Sequence, residues 1–158
     1  MSEDAKALAN RLEAFSREVV AFVEGCSPEA WAKTCAPEQW SVGVTARHIA
    51  EGHYEVLRLA QAVAAGRGLP PVTAEMLTEA ANRHAREHSG CTKEEVLGLL
   101  RANGAALADF ARRLPPSEIA RTGRLTLMDA DVTAPRLIEL VVLESAREHF
   151  EHMKDAVG

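Results

Sequence analysis

Four long segments of the chain have apolar residues with the period of an amphipathic helix, and in the first segment the spacings alternate between three and four. In the first segment this spacing falls on Leu8, Leu12, Phe15, Val19 and Phe22. The pattern stops at Gly25, a residue that commonly follows the end of a helix. The first segment therefore predicts one helix that ends shortly before Ser27-Pro28.

The second and third segments carry start and stop signals as well as the apolar spacing. The second begins after Trp40-Ser41 and has the apolar residues Val44, Ile49, Val56, Leu59 and Val63. Glycines and prolines in residues 66–71 end it. The third begins at Thr92, an N-cap whose capping box Glu95 completes, and it stops at Pro115. Both segments predict helices of several turns.

The fourth helix begins at Thr133, has Pro135 in its first turn and continues to about Val157. A shorter helix is predicted over residues 73–88, in the connection between the second and third helices. Strand signals are nearly absent, and only residues 125–128 (LTLM) suggest extended structure. We therefore predict an all-α protein of one domain spanning residues 1–158, an antiparallel four-helix bundle with this short extra helix.

Composition narrows the class of protein. The chain has 158 residues, 47% hydrophobic and 26% charged, with a formal net charge of −5. No basic run is present, so we expect no nucleic-acid partner. The N-terminus is acidic without an apolar core, and no apolar run is long enough for a membrane span. Cys26, Cys35 and Cys91 form no CxxC pair, which favours reduced structural thiols and a cytoplasmic location.

Two histidines are predicted to face the bundle interior. At 100° per residue, His48 lies about 40° from the centre of the apolar face of the second helix, and His53 lies nearly 100° away. In the fourth helix His149 lies about 20° from the apolar centre, Ser145 about 60° and His152 about 80°. The connections are longer than in tight bundles, so the second and fourth helices can run antiparallel and bring His48 beside His149. Such a pair predicts either half of a metal site or two hydrogen-bonded core histidines.

Other features leave alternatives open. His84 and His88 have the i, i+4 spacing of a metal-binding pair, but they lie in a short, charged helix where a surface or packing role is the simpler expectation. The tryptophans, at positions 31 and 40, are expected to cover one end of the core. Leu140 and Leu143 lie away from the apolar centre of the fourth helix, which predicts a contact with a second copy of the chain.

The stretch WSVGVTARHIAE and the final LIELVVLESAREHFEHMKDAV resemble the DinB-like superfamily of small four-helix proteins. The resemblance covers most of the chain. It implies a bundle with an up-down-down-up course, often dimeric, and a divalent metal, nickel or zinc, held by three histidines. By that correspondence His48 and His149 are metal ligands, while Ser145 replaces the expected third histidine. His53, Glu55 or His152 are possible substitutes.

A shifted register would instead pair Glu148 with His152, although Glu148 is predicted to point away from the core. The metal site is thus expected to be degraded or altered, and the protein to be a small-ligand-binding or scaffold homodimer. The alternative that the resemblance implies is a metal-dependent transferase or isomerase that uses a low-molecular-weight thiol, or a hydrolase. In that alternative Glu55 is a candidate general base.

Overall fold

The computed structural model describes residues 3–158, and most of them are helical. The elements follow in this order: α1 (Glu3–Glu24), α2 (Pro28–Ala32), β1 (Thr34–Cys35), β2 (Trp40–Ser41), α3 (Val42–Ala64), α4 (Ala74–Glu87), α5 (Lys93–Arg113), α6 (Pro116–Ile119), β3 (Thr122–Leu125), β4 (Ala130–Thr133), α7 (Ala134–Ile138), a π-helical segment (Glu139–Ala146) and α8 (Arg147–Val157). The predicted all-α class is confirmed, and α4 is the predicted extra helix. No helix within residues 3–158 is long and apolar enough to cross a membrane.

The predicted helix starts coincide with hydroxyl caps. Ser41 accepts a hydrogen bond from the backbone N–H of Val44 at 3.1 Å, which fixes the first turn of α3. Thr92 accepts one from Glu95 at 3.2 Å and starts α5 in the same way. Because these bonds satisfy N–H groups that have no partner inside the helix, each cap stabilises the start of its helix.

Contacts along α1 and α5 run in opposite order. Glu13 pairs with Arg112 at 2.5 Å, and Glu24 pairs with Arg101 at 2.8 Å. Between these ion pairs, Gly104 brings the α5 backbone close to Ser16 of α1. The two helices therefore lie side by side over most of their length.

The helix α3 contacts both α5 and the C-terminal helix, and the rings of Phe15 and Phe150 meet edge to face in the core. Asn103 of α5 donates a hydrogen bond to the carbonyl of Ala50 in α3 at 2.9 Å. On the other side, α1 meets the C-terminal helix through Glu18 and Arg147, which are 3.2 Å apart. One apolar core runs between these four long helices.

Two short antiparallel hairpins occupy the connections. In the first, β1 pairs with β2, and in the second β3 pairs with β4. Of the predicted extended residues 125–128, only Leu125 lies in a strand, because the chain turns back through Thr126–Asp129, where Asp129 has a φ of 51°. Strands of two to four residues are too short for an alternating apolar pattern, which explains why the sequence predicted almost none.

The fourth long helix is not a uniform α-helix. The helices α7 and α8 are joined by the π-helical segment Glu139–Ala146, where the N–H of Arg147 bonds the carbonyl of Val142 five residues earlier. Bonding to the fifth residue places more residues in each turn, so the angular step falls below 100°. Leu140 and Leu143 of this segment are half-buried and pack against the chain's own core rather than standing free on the surface.

Candidate metal centre

The first hairpin carries a carboxylate into the bundle. Glu38 lies in the turn between β1 and β2, and its side chain is only 5% exposed. The turn is held by the N–H of Gln39, which bonds the carbonyl of Cys35 at 2.8 Å, and Gln39 has a φ of 62°. The hydroxyl of Thr45 in α3 also contacts the Cys35 sulfur at 3.4 Å. These contacts fix the hairpin, and with it Glu38, against the helices.

Two histidines of α8 converge on that carboxylate. Because His149 and His152 are three residues apart, they lie on one face of the helix. The Nδ1 atoms of both contact Oε2 of Glu38, at 2.5 Å for His149 and 2.7 Å for His152. A carboxylate oxygen accepts, so each Nδ1 carries the hydrogen, and Nε2 of a neutral ring keeps its lone pair. We call Glu38, His149 and His152 the carboxylate–histidine cluster.

The charges of the cluster reinforce one another. Burial raises the pKa of Glu38, but the hydrogen bonds from His152 and His149 outweigh it and leave that pKa below its usual value. The bond to Glu38 raises the pKa of His152. Meanwhile Oε1 of Glu38 is buried and has no hydrogen-bond partner in the described part of the chain. The cluster therefore contains an ionised carboxylate with one acceptor atom unused.

His48 lies beside the cluster. Its ring centroid is 5.0 Å from that of His149, with the planes at 88°. Burial, followed by the neighbouring His149 and His84, lowers the pKa of His48 to about 4. The ring of Trp40 lies 5.1 Å from His48 and 6.3 Å from His149. The structure thus brings together the two histidines that the sequence predicted, with an aromatic wall over both.

The pair of histidines in α4 extends this arrangement. The His84 ring is 5.8 Å from that of His48 and 4.9 Å from that of His88. Nε2 of His84 accepts from Arg47 at 2.9 Å, since a guanidinium has no acceptor atom. Nδ1 of His84 is buried without a partner in residues 3–158. Of the two roles expected for this pair, surface or packing, His84 has the packing role, because α4 lies on α3 and places it next to His48.

The proposed substitutes for the third histidine have different locations. His152 is in the cluster. His53 is buried on another side of α3, where its Nδ1 donates to the carbonyl of Ile49 at 2.7 Å and its ring stacks on Phe15. Glu55 is exposed and lies 3.9 Å from Arg58, so its carboxylate is at the surface and not in the site.

Ser145 was predicted to face the interior, and this expectation is wrong, because the residue is exposed. It lies in the π-helical segment, where the smaller angular step changes the direction of each side chain from that of a regular α-helix. Glu148 is exposed, as predicted, so the alternative pair of Glu148 and His152 does not form on the core face.

The three cysteines lack the lowered thiol pKa of a nucleophilic cysteine. All of them are free thiols, and burial raises the pKa of Cys26, Cys35 and Cys91. A reactive cysteine has the opposite shift, since the thiolate is the nucleophile. A structural role, as predicted for Cys91, agrees with these shifts.

The donor set of the cluster suits a divalent transition metal. One ligand atom each from Glu38, His149 and His152 lies within 4.8 Å of the others. Two imidazoles and one carboxylate are a common three-ligand set for zinc and for iron, and imidazole also suits nickel. The unused Oε1 of Glu38 is an additional oxygen donor at the same place. A metal bound through the two Nδ1 atoms would require neutral rings with the hydrogen on Nε2, so its affinity would rise with pH as the protonated rings lose their extra proton.

Sequence reasoning missed Glu38 and the role of Trp40. Glu38 lies in a connector without periodicity, and nothing in a single sequence links residue 38 to residues 149 and 152. The sequence places Trp40 directly before the second helix. Its contact with His48 and His149, however, depends on how the first hairpin packs against the helices.

A family model described as the DinB superfamily matches residues 11–153, which is most of the chain. No curated protein matches the sequence, and no solved structure matches it either.

Proposed function

The chain belongs to the DinB superfamily, and from that membership together with the carboxylate–histidine cluster we propose that it is a divalent-metal-binding protein with an altered site. Glu38, His149 and His152 would hold the metal, zinc or nickel, with His48 beside it. The observation that carries the proposal is the convergence of both Nδ1 atoms on Oε2 of the buried Glu38. In this arrangement Glu38 contributes the donor that Ser145 does not.

The chemistry we propose is thiol- or water-dependent transfer, isomerisation or hydrolysis on a small molecule. A metal in such a site lowers the pKa of a bound thiol or water towards neutrality. His48, whose pKa is about 4, stays neutral at pH 7 and offers a lone pair to such a group as a hydrogen-bond acceptor. Trp40 excludes water from one side of His48 and His149.

The test is elemental analysis of untagged protein, followed by zinc and nickel titration of the chelator-treated protein. We expect about one metal per chain. In Glu38→Gln the metal affinity should fall by about tenfold or more, because loss of a ligand, or of a carboxylate that supports a ligand, has an effect of at least this size. Glu55→Gln is the matched control, since it removes an exposed carboxylate outside the cluster. Absence of metal uptake, or equal effects of both variants, would refute the metal site.

A second candidate function is a metal-free small-ligand-binding or scaffold dimer. It is favoured by the contacts of 2.5 and 2.7 Å, which hold both histidines on Oε2 of Glu38 without any ion. Absence of metal uptake in the titration would support this candidate.

We also propose, as the family resemblance implies, that the bundle follows an up-down-down-up course and forms a homodimer. The opposite order of contacts between α1 and α5 supports the course. The exposed apolar side chains Met76, Leu77, Leu127 and Met128 offer surface for a dimer. Light scattering that gives the mass of one chain at micromolar concentration would contradict the dimer. The free thiols support a cytoplasmic location.

A further inference from the structure

An open cleft is lined in part by Trp40, the residue whose ring also contacts His48 and His149. It has a volume of about 620 Å³ and lies between the hairpin residues Gln39, Trp40 and Ser41 and the α4 residues Asn82 and Arg86. Its volume is within the range of about 300–1,000 Å³ that small-molecule sites occupy. A molecule in this cleft would touch the same tryptophan ring that covers His48 and His149. Trp40 therefore connects the cleft to His48 and His149.

The cleft carries a single positive charge. Most arginines of the described residues are paired with a carboxylate, whereas Arg86 has no ion pair or hydrogen bond in residues 3–158. No acidic residue lines the cleft. Glu38, the nearest acid along the hairpin, does not line the cleft and is bonded to His149 and His152. The guanidinium of Arg86 is therefore free to bind an anionic ligand.

The lining favours one kind of anion. A guanidinium binds a carboxylate through two parallel N–H donors, and the amide of Asn82 is a further polar group in the cleft. Trp40 and Val44 provide an apolar surface beside these donors. A phosphate dianion would require more cationic groups than one arginine. A monoanion with an apolar body matches the single charge of Arg86 and the aromatic ring of Trp40.

We propose that this cleft binds the carboxylate of a small organic acid. Arg86 anchors the carboxylate, Trp40 contacts the apolar body, and the remainder of the molecule points to His48 and His149. The orientation towards the histidines rests on the metal-dependent function proposed above, but the carboxylate subsite itself does not.

The test uses benzoate as the probe, with benzamide as its uncharged analogue, in calorimetric titrations of chelator-treated protein. We expect benzoate to bind, and Arg86→Gln to weaken it by about tenfold or more, as for loss of a charged hydrogen bond. Arg83→Gln is the matched control, because Arg83 is also exposed, unpaired and on α4 but does not line the cleft. It should change binding by less than about twofold. Benzamide should bind more weakly than benzoate by about tenfold or more.

Four outcomes in the metal-free titrations would overturn the subsite. The first is no benzoate binding at millimolar concentration, and the second is binding of benzamide as tight as that of benzoate. The third is an equal loss of benzoate affinity in Arg86→Gln and Arg83→Gln, and the fourth is inorganic phosphate binding more tightly than benzoate and displacing it. Benzoate binding that needs added zinc and is indifferent to Arg86→Gln would place the carboxylate on the metal and also overturn it. Metal content is measured on the same samples: loss of metal binding with Arg86-dependent benzoate binding would refute only the metal-dependent function.

Discussion

Acidification should destabilise the metal-free protein, and His48 should account for about 3 kcal/mol of the loss. The pKa of this histidine is lowered from 6.5 to about 4, chiefly by burial and then by the nearby His149 and His84. One pKa unit corresponds to about 1.36 kcal/mol, so a shift of about 2.5 units corresponds to about 3 kcal/mol.

The sign follows from proton binding in the two states. Between pH 6.5 and pH 4, His48 is protonated in the unfolded chain and neutral in the folded protein. The unfolded state then binds more protons, so the free energy of unfolding rises with pH in this range. The loss of stability due to His48 is therefore absent above pH 6.5. It grows as the pH falls and is complete below about pH 4.

The assay is denaturant unfolding of wild type and His48→Gln across this pH range, with a chelator present. The pKa values of His53 and His84 are also lowered by burial, so both proteins should lose stability in acid. The variant should lose about 3 kcal/mol less. Parallel curves for the two proteins would refute the reasoning. High salt should leave most of the difference between wild type and His48→Gln in place, because burial lowers the His48 pKa more than repulsion from His149 and His84 does. If the difference disappears in high salt, charge repulsion is the main cause of the shift.

Three further predictions concern packing and register. Gly43→Ala should cost about 1–3 kcal/mol in thermal unfolding, since the new Cβ would lie 2.5 Å from Cε2 of Trp31; an unchanged melting temperature would contradict this packing. Phe15→Ala should cost about 3–5 kcal/mol in denaturant unfolding, because the ring is fully buried against Phe150, and a cost below 1 kcal/mol would argue against that core. Ser145→His should leave zinc affinity unchanged, because the position is exposed; a tighter complex would show that this side chain reaches the cluster.

The helices could be predicted because their signals are local. The cap at Thr92 and the helix-ending glycines and prolines act within a few residues, and α5 begins at Lys93 as the cap indicates. The hairpins could not be predicted, because β1 and β2 contain two residues each and depend on packing against α3 and α8. Periodicity also underestimated the buried face of α3, where His53 is enclosed by α1 through its stack on Phe15.

The candidate site was predictable in part for the same reason. The inward directions of His48 and His149 follow from the apolar faces of their own helices. The positions of Glu38 and His84 depend on contacts between elements distant in sequence, since Glu38 meets α8 across more than a hundred residues. Helical angles alone contain no information about such contacts.

The π-helical segment changes which side chains at the end of the chain reach the carboxylate–histidine cluster. In a regular α-helix, residues 145 and 149 are four apart and lie within about 40° of each other, so a histidine at each would share a face. Here Ser145 belongs to the π-helical segment and points to solvent, while His149 and His152 belong to the regular helix α8. These two are separated by about 60°, close enough for both to reach one carboxylate oxygen. The absence of a histidine at position 145 is consequently not a defect of this cluster, which is built on the spacing of three and completed by Glu38.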